Sequence, residues 1–403
     1  MRFSHDAAPR TVFAFAAVGH FLFHVLAALY LTLVLALQEA WQLPYDELIR
    51  LWTPGALLLG LGAPVAGWLS DRFGEAPVMA AYFFGIGFAT IACGLAGDPA
   101  ELTVALGALG LFGAIYHPVG TAWVMRSAAQ PGRSIALVGI IGGLGAAAAS
   151  LVAGGLAELT DWRAAFLIPG AIATLAGIVL LAALARGSLA VPQGAEQTVD
   201  PERGKLRRAF VVLAITMSLT TVAYYAFTTM LPKWLEESVG SELGGGLLGI
   251  GALVMAIHLL ATPAQLVGGK LSDAGSARLV YVLSYVLKLS ALILALATTG
   301  WSVVAVAVAV MFVFDLTSPV ESVLIARFTS LRRRGIAFGI RNGIAILGAP
   351  LGVELVSLLH DERRGFDDLL WALAALTTLI LLVALLLPRD RPSPHSGMQV
   401  TGT

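Results

Sequence analysis

The sequence predicts an all-α integral membrane protein with twelve transmembrane helices in two pseudo-symmetric six-helix bundles. Composition is the first observation: 58% of the 403 residues are hydrophobic and 12% are charged, whereas soluble domains carry about 25% charged residues. The mean hydropathy is +0.85. The second observation is that apolar residues form runs long enough to cross the bilayer, which takes about 20 residues in a helix. The third is an internal repeat.

Six apolar runs fill the first half of the chain. The first run is too long for the apolar region of a signal peptide, which has about 7–15 residues, so we expect it to remain as a span. The predicted spans are 11–37, 48–69, 77–97, 101–125, 134–157 and 163–185. They define an N-terminal bundle over residues 1–185.

A polar segment follows, and six more runs come after it. Residues 186–208 are too polar to enter lipid and are predicted to be a cytoplasmic linker. The later spans are 209–231, 245–268, 278–298, 301–326, 335–359 and 367–388. They define a C-terminal bundle over residues 209–403 that includes a short cytoplasmic tail.

Basic residues predict the orientation in the membrane. With the N-terminus in the cytoplasm, 18 Lys and Arg residues fall on the cytoplasmic side and 5 on the outside. Cytoplasmic loops carry the excess of basic residues. We therefore expect a multi-pass protein of the cell (inner) membrane with both termini in the cytoplasm.

Several motifs recur at one offset. Pro118 and Pro319 are 201 positions apart, and so are Arg126 and Arg327. Asp71 and Asp273 follow the second and eighth spans at nearly the same separation. A constant offset of this kind predicts two bundles related by an axis along the membrane normal, as in parallel-repeat transporters.

The loop after the second span carries the residues of a family signature. Gly67, Asp71, Arg72 and Gly74 fit the pattern Gly-x-x-x-Asp-Arg-x-Gly, and the chain resembles the major facilitator superfamily over nearly its whole length. The run Tyr116-His117-Pro118-Val119-Gly120 is similar to one in fosmidomycin-resistance-like exporters of that superfamily. The resemblance implies that this loop, together with Asp273, gates the cytoplasmic side. It also implies that spans 1, 4, 7 and 10 line a central cavity, and that the protein is a monomer.

Ionisable residues inside spans are costly and usually face a cavity or a partner. His20 and His24 lie one helical turn apart on a single face of span 1, and His117 is in span 4. The other candidates for binding substrate or protons are Tyr224, Tyr225, Asp315, Glu321 and Arg341. Helix breaks at Pro118 and Pro319 are expected to free backbone carbonyls nearby.

Purely structural roles for the same residues remain open. Each histidine could simply hydrogen-bond a neighbour, and Asp315 or Glu321 could pair with Arg327 or Arg341. His258 is expected to be a packing residue. Lys288 is expected to snorkel to the membrane surface and to have no role.

The leading functional hypothesis is a secondary transporter that works by alternating access. It would move a small organic molecule, a drug or metabolite, most simply by export coupled to protons, as an antiporter. Its partners would be that substrate, protons and the lipid bilayer. We expect no cofactor, because the chain lacks a phosphate-binding loop, and no nucleic-acid binding, because net charge is zero. No catalytic constellation points to an enzyme.

Two alternatives remain at this stage. His20, His24 and His117 could be imidazole ligands in a transporter of a transition metal or metal chelate. A membrane assembly factor without transport activity would instead have a cavity filled by side chains.

Overall fold

The computed structural model describes residues 7–127, 131–187, 206–328, 348–361 and 363–388. Within these ranges the regular structure is helical, and one isolated bridge joins Asp361 and Gly365. Eleven helices of the described chain are long and apolar enough to cross a membrane, and Gly348–Leu359 is a shorter apolar helix. The predicted all-helical membrane fold is confirmed. Arg341 and the first part of the predicted eleventh span lie outside the described residues.

Eight helices make up the described part of the first half. They are α1 (Ala7–Trp41), α2 (Tyr45–Arg50), α3 (Thr53–Phe73), α4 (Glu75–Leu95), α5 (Pro99–Gly113), α6 (Tyr116–Ser127), α7 (Pro131–Leu159) and α8 (Ala164–Ala185).

Seven helices follow in the described part of the second half. They are α9 (Leu206–Val239), α10 (Leu247–Ala261), α11 (Ala264–Ala274), α12 (Ala277–Ala295), α13 (Ser302–Phe328), α14 (Gly348–Leu359) and α15 (Asp367–Ala384).

The two prolines of the repeat behave differently. The fourth span is interrupted between α5 and α6, so Pro118 sits in the first turn of α6, where its missing N–H removes no helical bond. The predicted break at Pro319 is wrong, because α13 runs through it without interruption. Gly268 of α11 lies against this point: a Cβ there would be 2.2 Å from the Leu316 carbonyl oxygen. The two helices thus pack closely where the proline removes a backbone bond.

Backbone contacts divide the chain into two compact units. One comprises Met1–Glu196, Ala226–Ala256 and Ala349–His360, and the other comprises Gln197–Tyr225, Ile257–Gly348 and Asp361–Thr403.

In the first unit, α7 packs on α1 through glycines. A Cβ on Gly145 would lie 2.4 Å from the Phe21 carbonyl oxygen, and one on Gly142 would touch the His20 ring. Small residues allow this close approach between membrane helices. The face of α1 that carries His20 is therefore held against α7. Cys93, the single cysteine of the sequence, is fully buried in α4.

In the second unit, the core contains aromatic rings that carry hydroxyl groups. Tyr281 and Tyr285 of α12 are fully buried and pack among aliphatic residues of α13 such as Val320 and Leu324. Buried hydroxyls need hydrogen-bond partners. Those partners are the polar residues of α9 and α13.

Candidate functional site

Three histidines of the first unit form one cluster, which we call the histidine cluster: His20, His24 and His117. One ring nitrogen from each lies within 4.8 Å of the others, and all three side chains are half-buried. His20 Nε2 and His24 Nε2 are 3.1 Å apart. The sequence placed His20 and His24 on one face of α1, and α6 brings His117 to the same point.

The backbone fixes which nitrogen of His20 carries a proton. His20 Nδ1 lies 2.8 Å from the Val138 carbonyl oxygen of α7, and a carbonyl only accepts hydrogen bonds. Nδ1 is therefore the donor, and in a neutral ring Nε2 presents its lone pair to His24. Tyr116 stacks on the His20 ring with centroids 4.8 Å apart and keeps it in this orientation.

A polar pocket occupies the second unit, and we call it the C-terminal pocket. Its volume is about 300 Å³. It is lined by Met217, Thr220, Thr221, Tyr224, Tyr225, Gln265, Phe314, Asp315, Thr317, Ser318 and Glu321. Four predicted site residues thus share one cavity: Tyr224, Tyr225, Asp315 and Glu321. Asp315 is half-buried and accepts a hydrogen bond from Gln265.

Glu321 lies at the end of a chain of hydroxyl groups. Thr220 Oγ1 is 2.6 Å from the Tyr285 hydroxyl, and that hydroxyl donates to Tyr281 over 3.1 Å. The Tyr281 hydroxyl lies 2.8 Å from Thr216 Oγ1 and 3.3 Å from Glu321 Oε1. Such a chain connects the pocket wall to a buried carboxyl group and polarises each of its bonds.

Lys288 does not snorkel, and the prediction that it would is wrong. The side chain is 1% exposed, and its Nζ has no hydrogen-bond partner among the described residues. The ammonium group lies 4.0 Å from the centroid of Phe314 and 4.8 Å from that of Tyr285. Aromatic faces attract a cation, and the Glu321 carboxylate also interacts with it electrostatically. The Lys288 side chain is thus buried next to the pocket.

The signature loop closes α3 in the manner its glycine predicts. Gly74 adopts φ 84°, a conformation that disfavours any side chain, and its N–H bonds the Ser70 carbonyl. Asp71 and Arg72 are exposed in the last turn of α3. Gly67 faces Pro118 of α6: a Cβ there would be 4.0 Å from the proline ring.

Beside this loop an ion pair joins two helices. Glu75, at the start of α4, pairs with Arg126 near the end of α6. No local pattern pairs these two residues, since they are 51 positions apart in the sequence. The side chain of Asp273, the predicted second gating acid, lies outside the described residues.

A second polar network in the first unit was not predicted. It lies at the helix ends that the charge pattern assigns to the outside. Thr53 donates to Glu354 over 2.7 Å, and the Arg50 guanidinium is 3.5 Å from the same carboxylate. Ser357 donates to the Asp46 carbonyl oxygen over 2.9 Å. These contacts attach α2 and α3 to α14, about 300 residues later in the sequence.

Comparisons with known proteins agree with this architecture. The family described as Major Facilitator Superfamily matches residues 16–274 and 240–399. A puromycin resistance protein of Streptomyces alboniger is 34% identical over 125 residues, which is 30% of this chain and 24% of that protein. An efflux pump of Mycolicibacterium smegmatis is 34% identical over 161 residues, covering 39% of this chain and 37% of the pump. The matched stretches thus span well under half the length of these relatives.

Solved structures match over nearly the whole chain. A bacterial homologue of the human lysosomal transporter Spinster, solved inward-facing and unoccupied, superimposes with a TM-score of 0.74 at 15% identity. The match covers 94% of this chain and 95% of that structure. At this identity the likeness establishes the fold. The named relatives are resistance and efflux proteins, which agrees with the prediction that the chain is not an enzyme and gives no support to a metal transporter.

Proposed function

Because the chain belongs to the Major Facilitator Superfamily, we propose that it is a secondary transporter that exports a small organic molecule by alternating access, coupled to protons. The observation that carries this proposal is the C-terminal pocket, where a half-buried carboxyl group, Asp315, shares a cavity of about 300 Å³ with two tyrosines and several threonine hydroxyls. An ionisable group inside the membrane is costly and is by default a candidate functional group.

The pocket suits an organic molecule that has both apolar and polar parts. Tyr224 lies edge-on to Phe314, with centroids 5.5 Å apart. These rings offer apolar faces, and Thr220, Thr221 and Asp315 offer hydrogen-bonding groups in the same cavity. Ligand sites commonly combine an apolar lining with a few polar groups in this way.

Coupling to protons is assigned first to Asp315 and Glu321, and second to the histidine cluster. Both carboxyl groups line the pocket, so a proton on either changes the charge that the cargo meets. A neutral imidazole has a nitrogen lone pair that accepts a proton, and we assign His117 and its neighbours as a second proton-binding site. A proton gradient then drives export when proton and cargo bind in alternation.

Gating is assigned to the two ends of the first unit. The signature loop and the Glu75–Arg126 pair lie at the end predicted to be cytoplasmic, and the Glu354 network lies at the opposite end. In alternating access, contacts at one end form while those at the other release. The proposed orientation has both termini in the cytoplasm, as the basic residues predict.

Efflux from proteoliposomes tests this function. The full chain is reconstituted, a pH gradient is imposed, and transport of puromycin and ethidium is measured for the wild type, Asp315→Asn and Glu321→Gln. Asp367→Asn is the matched control, because it makes the same chemical change outside the pocket. We expect gradient-driven transport in the wild type and the control and its loss in one or both pocket variants. Equal transport with and without the gradient, or no transport of either probe, would overturn the proposal.

A further inference from the structure

The histidine cluster has the geometry of a transition-metal site. Its three side chains come from α1 and α6 and are half-buried, with one ring nitrogen from each within 4.8 Å of the others. Imidazole nitrogen is a preferred ligand of Zn²⁺, Ni²⁺ and Cu²⁺. We propose that His20, His24 and His117 bind a divalent transition-metal ion such as Zn²⁺, as a ligand that inhibits the transporter and not as its cargo.

Distances support the proposal. Zn–N bonds of 2.0–2.1 Å in a tetrahedral site hold two ligand nitrogens about 3.3 Å apart. His20 Nε2 and His24 Nε2 are already 3.1 Å apart. The nitrogen of His117 has to approach by about 1.5 Å at most to reach that tetrahedral spacing from the 4.8 Å limit, a movement that rotation of one ring supplies.

The surroundings of His20 are those of a metal ligand. Histidines that bind metals usually donate their other N–H to a carbonyl or carboxylate, which fixes the tautomer and the ring orientation. His20 Nδ1 donates in this way to the Val138 carbonyl over 2.8 Å. The lone pair on Nε2 faces His24 Nε2, 3.1 Å away.

Aromatic rings hold the other ligands. Phe23 lies 4.7 Å from the His117 ring and 4.9 Å from the His24 ring, centroid to centroid. Tyr116, stacked on His20, donates its hydroxyl to the Ala16 carbonyl over 2.7 Å. His20 is fixed before binding and loses little conformational entropy when the ion arrives, whereas the His117 ring has to rotate.

A hydrogen-bonded pair of neutral histidines accounts for the 3.1 Å contact without a metal, with His24 Nε2 donating to His20 Nε2. That pair does not explain why a ring nitrogen of His117 also lies within 4.8 Å of the other two. Three converging imidazoles with one fixed lone pair give a site for three protein ligands and one water molecule, the arrangement of zinc sites that keep an open position.

Inhibition follows from the origin of the ligands on two helices. An ion bound to His20 and His24 of α1 and to His117 of α6 ties these helices together at the cluster. This part of the inference rests on the proposed function, in which helices move during alternating access. Metal binding itself does not depend on that function.

Isothermal titration of purified protein with ZnSO₄, after removal of any affinity tag, tests the site. We expect the affinity of the wild type for Zn²⁺ to exceed that of His24→Gln and of His20→Gln by at least about tenfold, the loss typical of disrupted metal sites. His258→Gln is the matched control, because His258 lies in the other unit, and it keeps the wild-type affinity. Co²⁺ in place of Zn²⁺ gives the visible absorption bands of a tetrahedral site.

Two results overturn the site: no binding to the wild type, or binding that survives in His20→Gln/His24→Gln. Thermal unfolding of each variant without metal identifies one that has failed to fold, and His24→Asn then replaces it. Efflux of puromycin with and without Zn²⁺ tests inhibition separately. If Zn²⁺ binds and efflux is unchanged, the inhibitory role is wrong. If no efflux occurs at all, the proposed function fails and the titration still decides the site.

Discussion

Replacing Gly142 with alanine tests whether the packing of α7 on α1 holds the histidine cluster in place. A Cβ on Gly142 would lie 2.4 Å from Nδ1 and 2.5 Å from Cε1 of His20. Ordinary carbon contacts are about 3.5–4.0 Å, so the ring has to retreat by about 1 Å. The substitution removes no titratable group and alters only the position of the His20 ring.

The size of the effect follows from that displacement. The bond from His20 Nδ1 to the Val138 carbonyl is 2.8 Å long, and bonds of this type extend to about 3.2 Å, so a retreat of about 1 Å can break it. Its loss costs about 0.5–1.5 kcal/mol, and overpacking costs about 1–3 kcal/mol in total. For domains of 150–250 residues each kcal/mol lowers Tm by about 2–4 °C.

Gly143→Ala is the matched control. It is the next residue on α7, and a Cβ there meets nothing within 4 Å. The higher helix propensity of alanine, about 1 kcal/mol over glycine, is common to both variants and cancels. We expect scanning fluorimetry to give a lower Tm for Gly142→Ala than for Gly143→Ala, and titration to give weaker Zn²⁺ binding. Indistinguishable Tm values for the two variants would refute the packing argument.

Three further predictions concern the packing at Gly110, the Glu354 network and the carboxyl group of Asp361. Gly110→Ala would place a Cβ 1.9 Å from the Gly55 carbonyl oxygen, so we expect a loss of about 1–3 kcal/mol in thermal unfolding, whereas Gly107→Ala, with its nearest neighbour at 3.7 Å, stays near the wild type. Glu354→Gln keeps an oxygen that accepts the Thr53 hydrogen bond and loses only the ion pair with Arg50, which is worth under about 1 kcal/mol. Glu354→Ala loses both contacts, so we expect it to have a lower Tm than Glu354→Gln. Equal Tm values for the two variants would contradict this prediction. Hydrogen bonds from the backbone N–H groups of Arg363 and Arg364 lower the carboxyl pKa of Asp361 in the folded protein. The ionised carboxyl group therefore adds to the free energy of unfolding above the unfolded pKa of about 3.9, and this contribution is lost as pH falls through the folded pKa. The stability difference between the wild type and Asp361→Asn should therefore shrink below about pH 4 in thermal unfolding, and a constant difference would count against this assignment.

Composition, the lengths of the apolar runs and the internal repeat were sufficient to predict the fold class. Runs of apolar residues report the thickness of the bilayer, and that constraint acts on each helix separately. The positions of helix breaks were harder to predict. Pro118 and Pro319 are equivalent in the repeat, yet only the first lies beside an interruption. Gly268 brings α11 against α13 beside Pro319, and the local sequence of α13 carries no signal of this contact.

Spacing predicted part of the site. His20 and His24 share a face because helical geometry requires it, whereas the approach of His117 depends on how α6 packs on α1. Lys288 shows the opposite case. Because its stem is long and apolar, the amine was expected to reach the membrane surface. Instead, its Nζ lies against the rings of Phe314 and Tyr285. The Glu354 network joins residues about 300 positions apart, a pairing that no local pattern encodes.

The burial of Cys93 has a practical consequence for labelling experiments. Thiol reagents attack an accessible thiolate, and this thiol is 0% exposed in the interior of α4. We therefore expect the wild-type chain to react little with thiol-specific spin labels and fluorophores. A single new cysteine on α2 or α14 can carry a probe while the native residue, and the helix packing around it, is left in place.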